Sequence, residues 1–415
     1  MRHMHTRARS ERGAVLVQVA IAMVGLVAFS AFVIDYGVMW VARRQAQNAA
    51  DAAAMAGAVS LGFVNMEDQD LAREAALDAA AQNLVWGEPP NVAPEDVTFP
   101  VCPPGSPGAG TNACIRVDAY RNQARANPLP TFFSRVVGIT EQGVRATATA
   151  EVLFGDSTDC VKPWAIPDKW IEYRNDQAPP GWGDEDSFER YRQNGNGRGQ
   201  LLNPADYYEP PNAPGGLYGP NGTGYTRESV GLGGSDYGRL MTIKTGNPQD
   251  QVSPGWFQPV VLTPGQTGAS HYRNNIASCN STVIGPGTVL QVEPGNMVGP
   301  TRQGMAALIA QDPGASWNTT LNGGLGGIQG GCMATGACTV SPRVVAIPVY
   351  NPDIFNAGTP HGRTDITIVK ILGFFMERMQ GNDVVGRIMA YPGTPRDSTS
   401  DTPGAAFVVS IALVR

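Results

Sequence analysis

From Gly13 to Ile34 the chain runs for about 22 residues without a charge. From Asp35 the pattern changes to alanine-rich sequence broken by polar residues. A helix needs about 20 apolar residues to cross a bilayer, and no later stretch matches this one. Gly13, Val15, Gln18, Ile21, Val24, Val27, Phe29, Phe32 and Ile34 are the expected membrane anchor. Two other readings exist. A cleaved signal peptide carries an apolar core of only about 7–15 residues and a small-residue cleavage site; this run is longer, and no clear A-x-A site lies directly behind it. The second is a buried helix of a soluble protein: a surface helix would show a polar face, which this run lacks, and a fully buried helix of this length so near the N-terminus is the less expected alternative.

The flanks orient the span. Arg2, Arg7, Arg9 and Arg12 precede it, opposed only by Glu11; Asp35 closes it, and the next basic pair is Arg43 and Arg44. By the positive-inside rule the N-terminus is cytoplasmic and residues after about 35 are exported. Tyr36 and Trp40 fall where an aromatic interface belt belongs.

Beyond the span the helical pattern continues to about Leu61. Small residues recur four apart at Ala46, Ala50, Ala54 and Ala58, a face that lets helices approach closely and that also reflects simple helix propensity. A second helix is expected over Glu67–Leu84, capped by Asn65, with Leu71, Ala75, Leu77 and Leu84 on its apolar side. Val97–Val101 and Cys114–Tyr120 read as a hairpin closed at its mouth by Cys102 and Cys114. A short helix is expected over Pro130–Val137. Gln142–Phe154 alternates, with Val144, Ala146, Ala148, Ala150 and Val152 on one face and Arg145, Thr147, Thr149 and Glu151 on the other, which predicts a half-buried strand.

Composition shifts at Gly155 towards Gly, Pro, Asn and aromatic residues. Strands are expected at Leu240–Lys244, Trp256–Leu262, Thr288–Val292, Arg343–Tyr350, Asp365–Arg378, Val384–Tyr391 and Ala406–Val414, with a turn at Gln380–Asp383. A helix is expected at Arg302–Gln311, bounded by Pro300-Thr301 and Asp312-Pro313. The predicted class is α+β: a cytoplasmic tail (1–12), a transmembrane helix (13–34), a membrane-proximal α+β domain (35–155) and a larger β-rich domain (156–415).

Composition sharpens this picture. Gly (50) and Pro (33) make up about a fifth of the chain and charged residues 16%, as in turn-rich exported proteins. The net charge is −6; the basic tail leaves the exported part near −9, which argues against nucleic acid as a partner. The six cysteines, Cys102, Cys114, Cys160, Cys279, Cys332 and Cys338, all follow the span. An even number in an oxidising compartment suggests disulfides. Six allow fifteen pairings; proximity favours Cys102–Cys114 and Cys332–Cys338, leaving Cys160–Cys279. No CxxC occurs, and only His271 and His361 lie beyond the span, so zinc is a poor fit.

Three blocks occur in a specific order. Arg12-Gly13-Ala14-Val15 opens the apolar run, Asp35-Tyr36-Gly37 closes it, and QNAADAAAMAGA follows over Gln47–Ala58. In this order they resemble the TadE/TadG-like proteins of the bacterial Tad (tight-adherence, Flp pilus) system. The resemblance is firm over residues 12–60. It extends loosely through Pro130-Thr131-Phe132-Phe133 with Val136-Val137-Gly138, and through VKPWAIPDKW at Val161–Trp170. It implies a pilus-assembly or pilus-associated envelope protein of the bacterial inner membrane, without catalytic activity, whose partners are the membrane and other pilus or Tad secretion components. Two departures stand out. Some relatives are pseudopilins cut after a glycine, with Glu five residues on; here Gln18 stands five residues after Gly13. Longer relatives carry a metal-ion adhesion motif D-x-S-x-S; the nearest stretch, Asp397-Ser398-Thr399-Ser400-Asp401, has Thr at the third place and Asp at the fifth.

Catalytic chemistry finds little support. Neither histidine accompanies a nucleophile motif. Asp184-Glu185-Asp186 and Glu209 are the candidates for a carboxylate pair of an envelope hydrolase, the alternative reading from another class; a processed pseudopilin or surface adhesin is a third. No cofactor is expected. Structural calcium is an outside candidate at Asn194–Gly199, where Arg198 takes the place of an oxygen ligand; a turn is the simpler reading.

Overall fold

The computed structural model describes residues 12–63, 69–173, 182–183, 186–194, 197–219, 222–245, 252–295, 297–356, 365–393 and 407–414. The chain divides into two compact units, Met1–Ala58 with Gln69–Glu151 and Ala412–Arg415, and Val59–Asp68 with Val152–Ile411.

The first unit is built on α1 (Arg12–Phe63), a single unbroken helix of 52 residues. Its environment changes abruptly. Residues 15–34 are exposed almost all round. From Asp35 onward one stripe is buried: Asp35, Val38, Ala42, Ala46, Ala49, Ala50, Ala53, Ala54 and Ala58. These positions follow the three- and four-residue spacing of one helix face. The small side chains are needed because neighbours come close. A Cβ on Gly57 would meet Ile115, the Ala72 carbonyl and Ala76. Ala72 lies on α2 (Gln69–Gln82), which buries Ala72, Ala76 and Ala80. The leucine side expected of α2 is therefore corrected: Leu71 and Leu84 are exposed, because only alanines fit against this close-packed face.

Strands β1 (Val97–Thr98), β2 (Cys114–Arg121) and β3 (Val144–Gly155) form antiparallel pairs, with Val97 opposite Val117 and Cys114 opposite Glu151. Along β3, Val144, Ala146, Ala148 and Ala150 are buried and Arg145 is exposed. Glu151 departs from the expected polar face. It is buried because the loop joining the two cysteines folds over it, and the Gly108 N–H donates to its carboxylate at 3.0 Å. The helix expected at Pro130–Val137 is also corrected. Leu129–Pro130 pairs with Glu141–Gln142, and only Ser134–Val137 winds into a single 3₁₀ turn, closed by Gly138 at φ +86°.

The second unit holds β4 (Trp164–Pro167), β5 (Leu240–Thr245), β6 (Trp256–Val261), β7 (Val289–Val292), β8 (Val344–Tyr350), β9 (Asp365–Gln380) and β10 (Asp383–Met389); the last strand, β11 (Val408–Val414), stands beside β3 in the sheet of β1 and β2, and its end from Ala412 counts with the first unit. The sheet order is β7-β6-β4-β8-β9-β10-β5, and β5 pairs back onto β6 while β7 also pairs with β9. The sheet thus closes on itself, and both end strands, β5 and β7, gain a second partner, which removes open edges. β6 and β8 are buried at every position; β8 reads in sequence as an unbroken apolar run rather than as alternation, and β6 is apolar but for the buried Gln258. The main core gathers Val161, Ala165, Val260, Leu290, Ala346, Ile368, Ile371 and Val408.

Two helices flank this sheet, α3 (Ala269–Ala277) and α4 (Val298–Gln311). α4 begins four residues before its expected start. Pro300 sits in the first turn, where a missing N–H costs nothing because no intrahelical acceptor faces it. α3 and β4 are additions to the sequence reading; both are short and lack strong boundary signals.

Candidate functional site

The residue that organises the exit from the apolar segment is Asp35. Its carboxylate accepts the N–H of Phe132 (2.8 Å), of Phe133 (3.1 Å) and of Ser134 (2.6 Å), together with the Ser134 hydroxyl (2.5 Å). Three successive backbone donors and a hydroxyl converge on one buried anion. The Thr131 hydroxyl donates to the Ile139 carbonyl at 2.8 Å and closes the loop on itself. Pro130 is drawn into the pairing with Glu141, its carbonyl accepts the Gln142 side-chain amide at 3.2 Å, and the Ser134 N–H goes to Asp35, so the Ser134-to-Pro130 bond that would open a helix here is not made.

The Ser134 hydroxyl and the three backbone N–H groups outweigh the cost of burial and hold the Asp35 carboxyl down at about 2, against an ordinary 3.8. A carboxylate whose folded value is depressed stabilises above its unfolded value and loses that contribution as pH falls. The loop is therefore expected to stay protected above about pH 4 and to loosen as pH falls towards 2. Amide hydrogen exchange at Phe132–Ser134, corrected for intrinsic rates, measures this. Asp35→Asn should remove the pH dependence; an unchanged profile would show that Asp35 does not hold the loop.

Around this clasp the side chains are apolar on one side and basic on the other. Phe132, Phe133 and Ile139 are exposed. Phe133 and α1 residues Met23, Val24, Val27, Ala31 and Phe32 line a cavity of about 570 Å³. On the other side of Asp35 along α1, Tyr36, Trp40, Arg43 and Arg145 line a second cleft of about 510 Å³. Arg44 stacks over Trp40, and Arg145 stacks over Tyr120 and pairs with Asp118 at 3.0 Å.

The structure distributes the other sequence candidates as follows. Val15, Ile21, Val24, Val27, Phe29, Phe32 and Ile34 are exposed on α1, as are Gln18, Tyr36 and Trp40. Ala46, Ala50, Ala54 and Ala58 are fully buried. The cysteines are joined as Cys102–Cys114, Cys160–Cys279 and Cys332–Cys338. Cys102, Cys114 and Glu151 cluster within 4.8 Å, but the two sulfurs are bonded to each other and offer no thiolate to a metal.

Of the carboxylates considered for a hydrolase, Asp186 and Glu209 lie among the described residues. Burial pushes the Glu209 carboxyl up, but the N–H groups of Tyr218 and Leu217 and the Tyr207 hydroxyl hold it below its ordinary value. That direction is opposite to the one a general acid requires. Asp186 accepts the Gly183 N–H, while Asp184 and Glu185 lie outside the described residues, as do His361, Asp397–Asp401, Asn65 and the centre of the Asn194–Gly199 turn. His271 is exposed on α3. Sequence reasoning missed Asp35 and its loop partners as a unit. The available signal was an acid closing an apolar run, together with the Pro-Thr-Phe-Phe segment.

Comparison with known families falls on this same region. Residues 13–60 match the Tad family, described as "Putative Flp pilus-assembly TadE/G-like". The Tad-like segment is therefore the part of α1 that runs from the apolar stretch through the buried alanine stripe. No curated protein and no solved structure matches the chain. The Tad-like segment lies within α1, the helix that, among the described residues, is long and apolar enough to cross a membrane.

Proposed function

We propose that this chain is a single-pass inner-membrane component of a Tad-type Flp pilus apparatus. The N-terminus is cytoplasmic, residues after about 35 are periplasmic, and the protein acts by binding other pilus or secretion components rather than by catalysis. One observation carries the reading. The Tad-like match covers residues 13–60, and within it α1 switches at Asp35 from all-round apolar exposure to a single buried stripe. A helix that is apolar on every side is suited to lipid; one with a buried face is suited to a folded domain. The basic tail before Gly13 sets the orientation.

Fractionation of native host cells, with intact-mass analysis of the mature N-terminus and thiol alkylation under reducing and non-reducing conditions, tests this. Full-length, oxidised protein in the inner membrane is the expected result. A mature chain beginning at Ala14 and found in sheared pilus material would make it a processed pilin-like subunit despite Gln18. Soluble protein with free thiols would overturn the topology.

A further inference from the structure

The Asp35 clasp does more than end a helix. It holds a loop alongside the segment read as crossing the membrane. Phe133 shares a cavity with Phe32, Ala31, Val27 and Met23. At 1.5 Å per residue, the helix wall of that cavity reaches about 18 Å back from Asp35 towards the N-terminus. If α1 leaves the hydrocarbon at Asp35, the Phe133 side chain points to the membrane side of that exit, not to the aqueous side. Phe132 and Ile139, 53% exposed each, lie on the same loop, Phe132 next to Phe133 in sequence and Ile139 with its N–H on the Ser134 carbonyl at 3.0 Å, so the loop offers three exposed apolar side chains, of which Phe133 lines the cavity with α1. Exposed apolar patches mark interaction surfaces.

The base of the loop is rigid. It is pinned by the pairing of Leu129–Pro130 with Glu141–Gln142, by the Thr131–Ile139 hydrogen bond and by the four hydrogen bonds to Asp35. The charges around it complement an anionic surface. Arg135 on the loop and Arg43 and Arg44 on α1 are exposed. Arg43 lies eight residues past Asp35, about 12 Å along the axis, within reach of a headgroup layer for a long side chain that extends towards it. Arg145 is already paired with Asp118, and Glu141 is the exposed acid at the loop base.

We propose that residues 131–139 form a second membrane-contacting element, in which Phe132, Phe133 and Ile139 enter the acyl region of the leaflet that α1 leaves, while Arg43 and Arg135 meet lipid phosphates. This rests on the reading of α1 as a membrane anchor. The occupant of the Phe133 cavity is a phospholipid acyl chain. Its lining is apolar throughout apart from Ser134, whose hydroxyl is committed to Asp35, and the basic groups stand on the phosphate side. The element fixes the tilt and rotation of the first unit on the membrane, as interfacial anchors do.

The test uses the full-length protein in nanodiscs of phosphatidylcholine and phosphatidylglycerol. p-Benzoylphenylalanine replaces Phe132, Phe133, Phe29 or Leu84 one at a time, and adducts are read by mass spectrometry after irradiation. Leu84 is exposed, close in sequence to Trp86, whose N–H bonds Gln45 ten residues past Asp35. Lipid adducts are expected at positions 29, 132 and 133 and not at 84. Asp35→Asn should lower the yield at 132 and 133 by about tenfold, the effect of losing charge-assisted bonds to one anion, and leave position 29 unchanged. Adducts at 29 without adducts at 132 and 133 would overturn the second contact while the anchor stands. Cross-links from 132 and 133 to another protein chain would also overturn it, in favour of a protein occupant. Absence of adducts at 29 would overturn the anchor, and the proposal with it.

Discussion

Replacing Lys370 by Met is expected to destabilise the second unit by about 3–5 kcal/mol, the usual cost of leaving one charge of a buried pair alone. Lys370 and Asp168 are both wholly buried, with Nζ 2.8 Å from Oδ2. Lys370 also donates to the Tyr225 carbonyl at 2.8 Å. Asp168 accepts the N–H of Lys169 and of Tyr225 and the Tyr208 hydroxyl. Burial pulls the Lys370 ammonium below its ordinary value, and the facing Asp168 carboxylate opposes that pull. The Met variant fills the same volume, so the loss is electrostatic rather than a cavity effect. A drop in Tm of roughly 10 °C by circular dichroism is expected for a unit of this size. Lys370→Met combined with Asp168→Asn should recover much of the loss, because an amide oxygen still accepts from Tyr225 without carrying charge. A single variant as stable as the parent would show that the pair contributes nothing.

The second large effect concerns the disulfides. In the chain-entropy model, bridging residues 119 apart stabilises by about 5 kcal/mol, against about 3 for a separation of 12 and about 2 for a separation of 6. Cys160–Cys279 is therefore the most costly to lose. It joins the approach to β4 to the segment just after α3, where the Cys160 N–H bonds the Asn280 carbonyl and the Lys162 ammonium bonds the carbonyls of Asn275 and Ser278. Cys160→Ser/Cys279→Ser should unfold at clearly lower denaturant than Cys332→Ser/Cys338→Ser, with guanidinium midpoints as the measurement. The reverse order would show that the long bridge closes a segment already held by its neighbours.

Particular residues show which features were legible beforehand. The apolar run from Gly13 to Ile34 and the ordered blocks to Ala58 announce themselves, because a bilayer span and a repeated small-residue face are local, periodic signals. The strands β8 and β9 are also readable, since long Val, Ile and Phe runs bounded by turns leave few alternatives. The turn after β9 is marked by Gly381, whose φ of +63° only glycine adopts without strain. By contrast, β4 contains only Trp164–Pro167. Four residues carry no periodicity, and its assignment depends on β6 and β8, remote in sequence. Pro130–Val137 has a composition open to helix; it is irregular because Asp35, nearly a hundred residues earlier, takes its N–H groups.

By itself, then, the sequence determined the apolar segment, the Tad-like order of blocks, the α+β class, the acidic balance of the chain and the presence of an even set of cysteines. Each of these is a property of composition or of spacing within about twenty residues. Tertiary structure alone decided the closure of the second sheet through β5 onto β6, the Lys370–Asp168 pair and the union of Asp35 with Phe132–Ser134. These depend on which distant groups meet, and a lone Asp or Lys in a sequence does not declare its partner. A buried charge is tolerated only where the fold brings enough donors or an opposite charge to it, and that condition is met in space rather than along the chain.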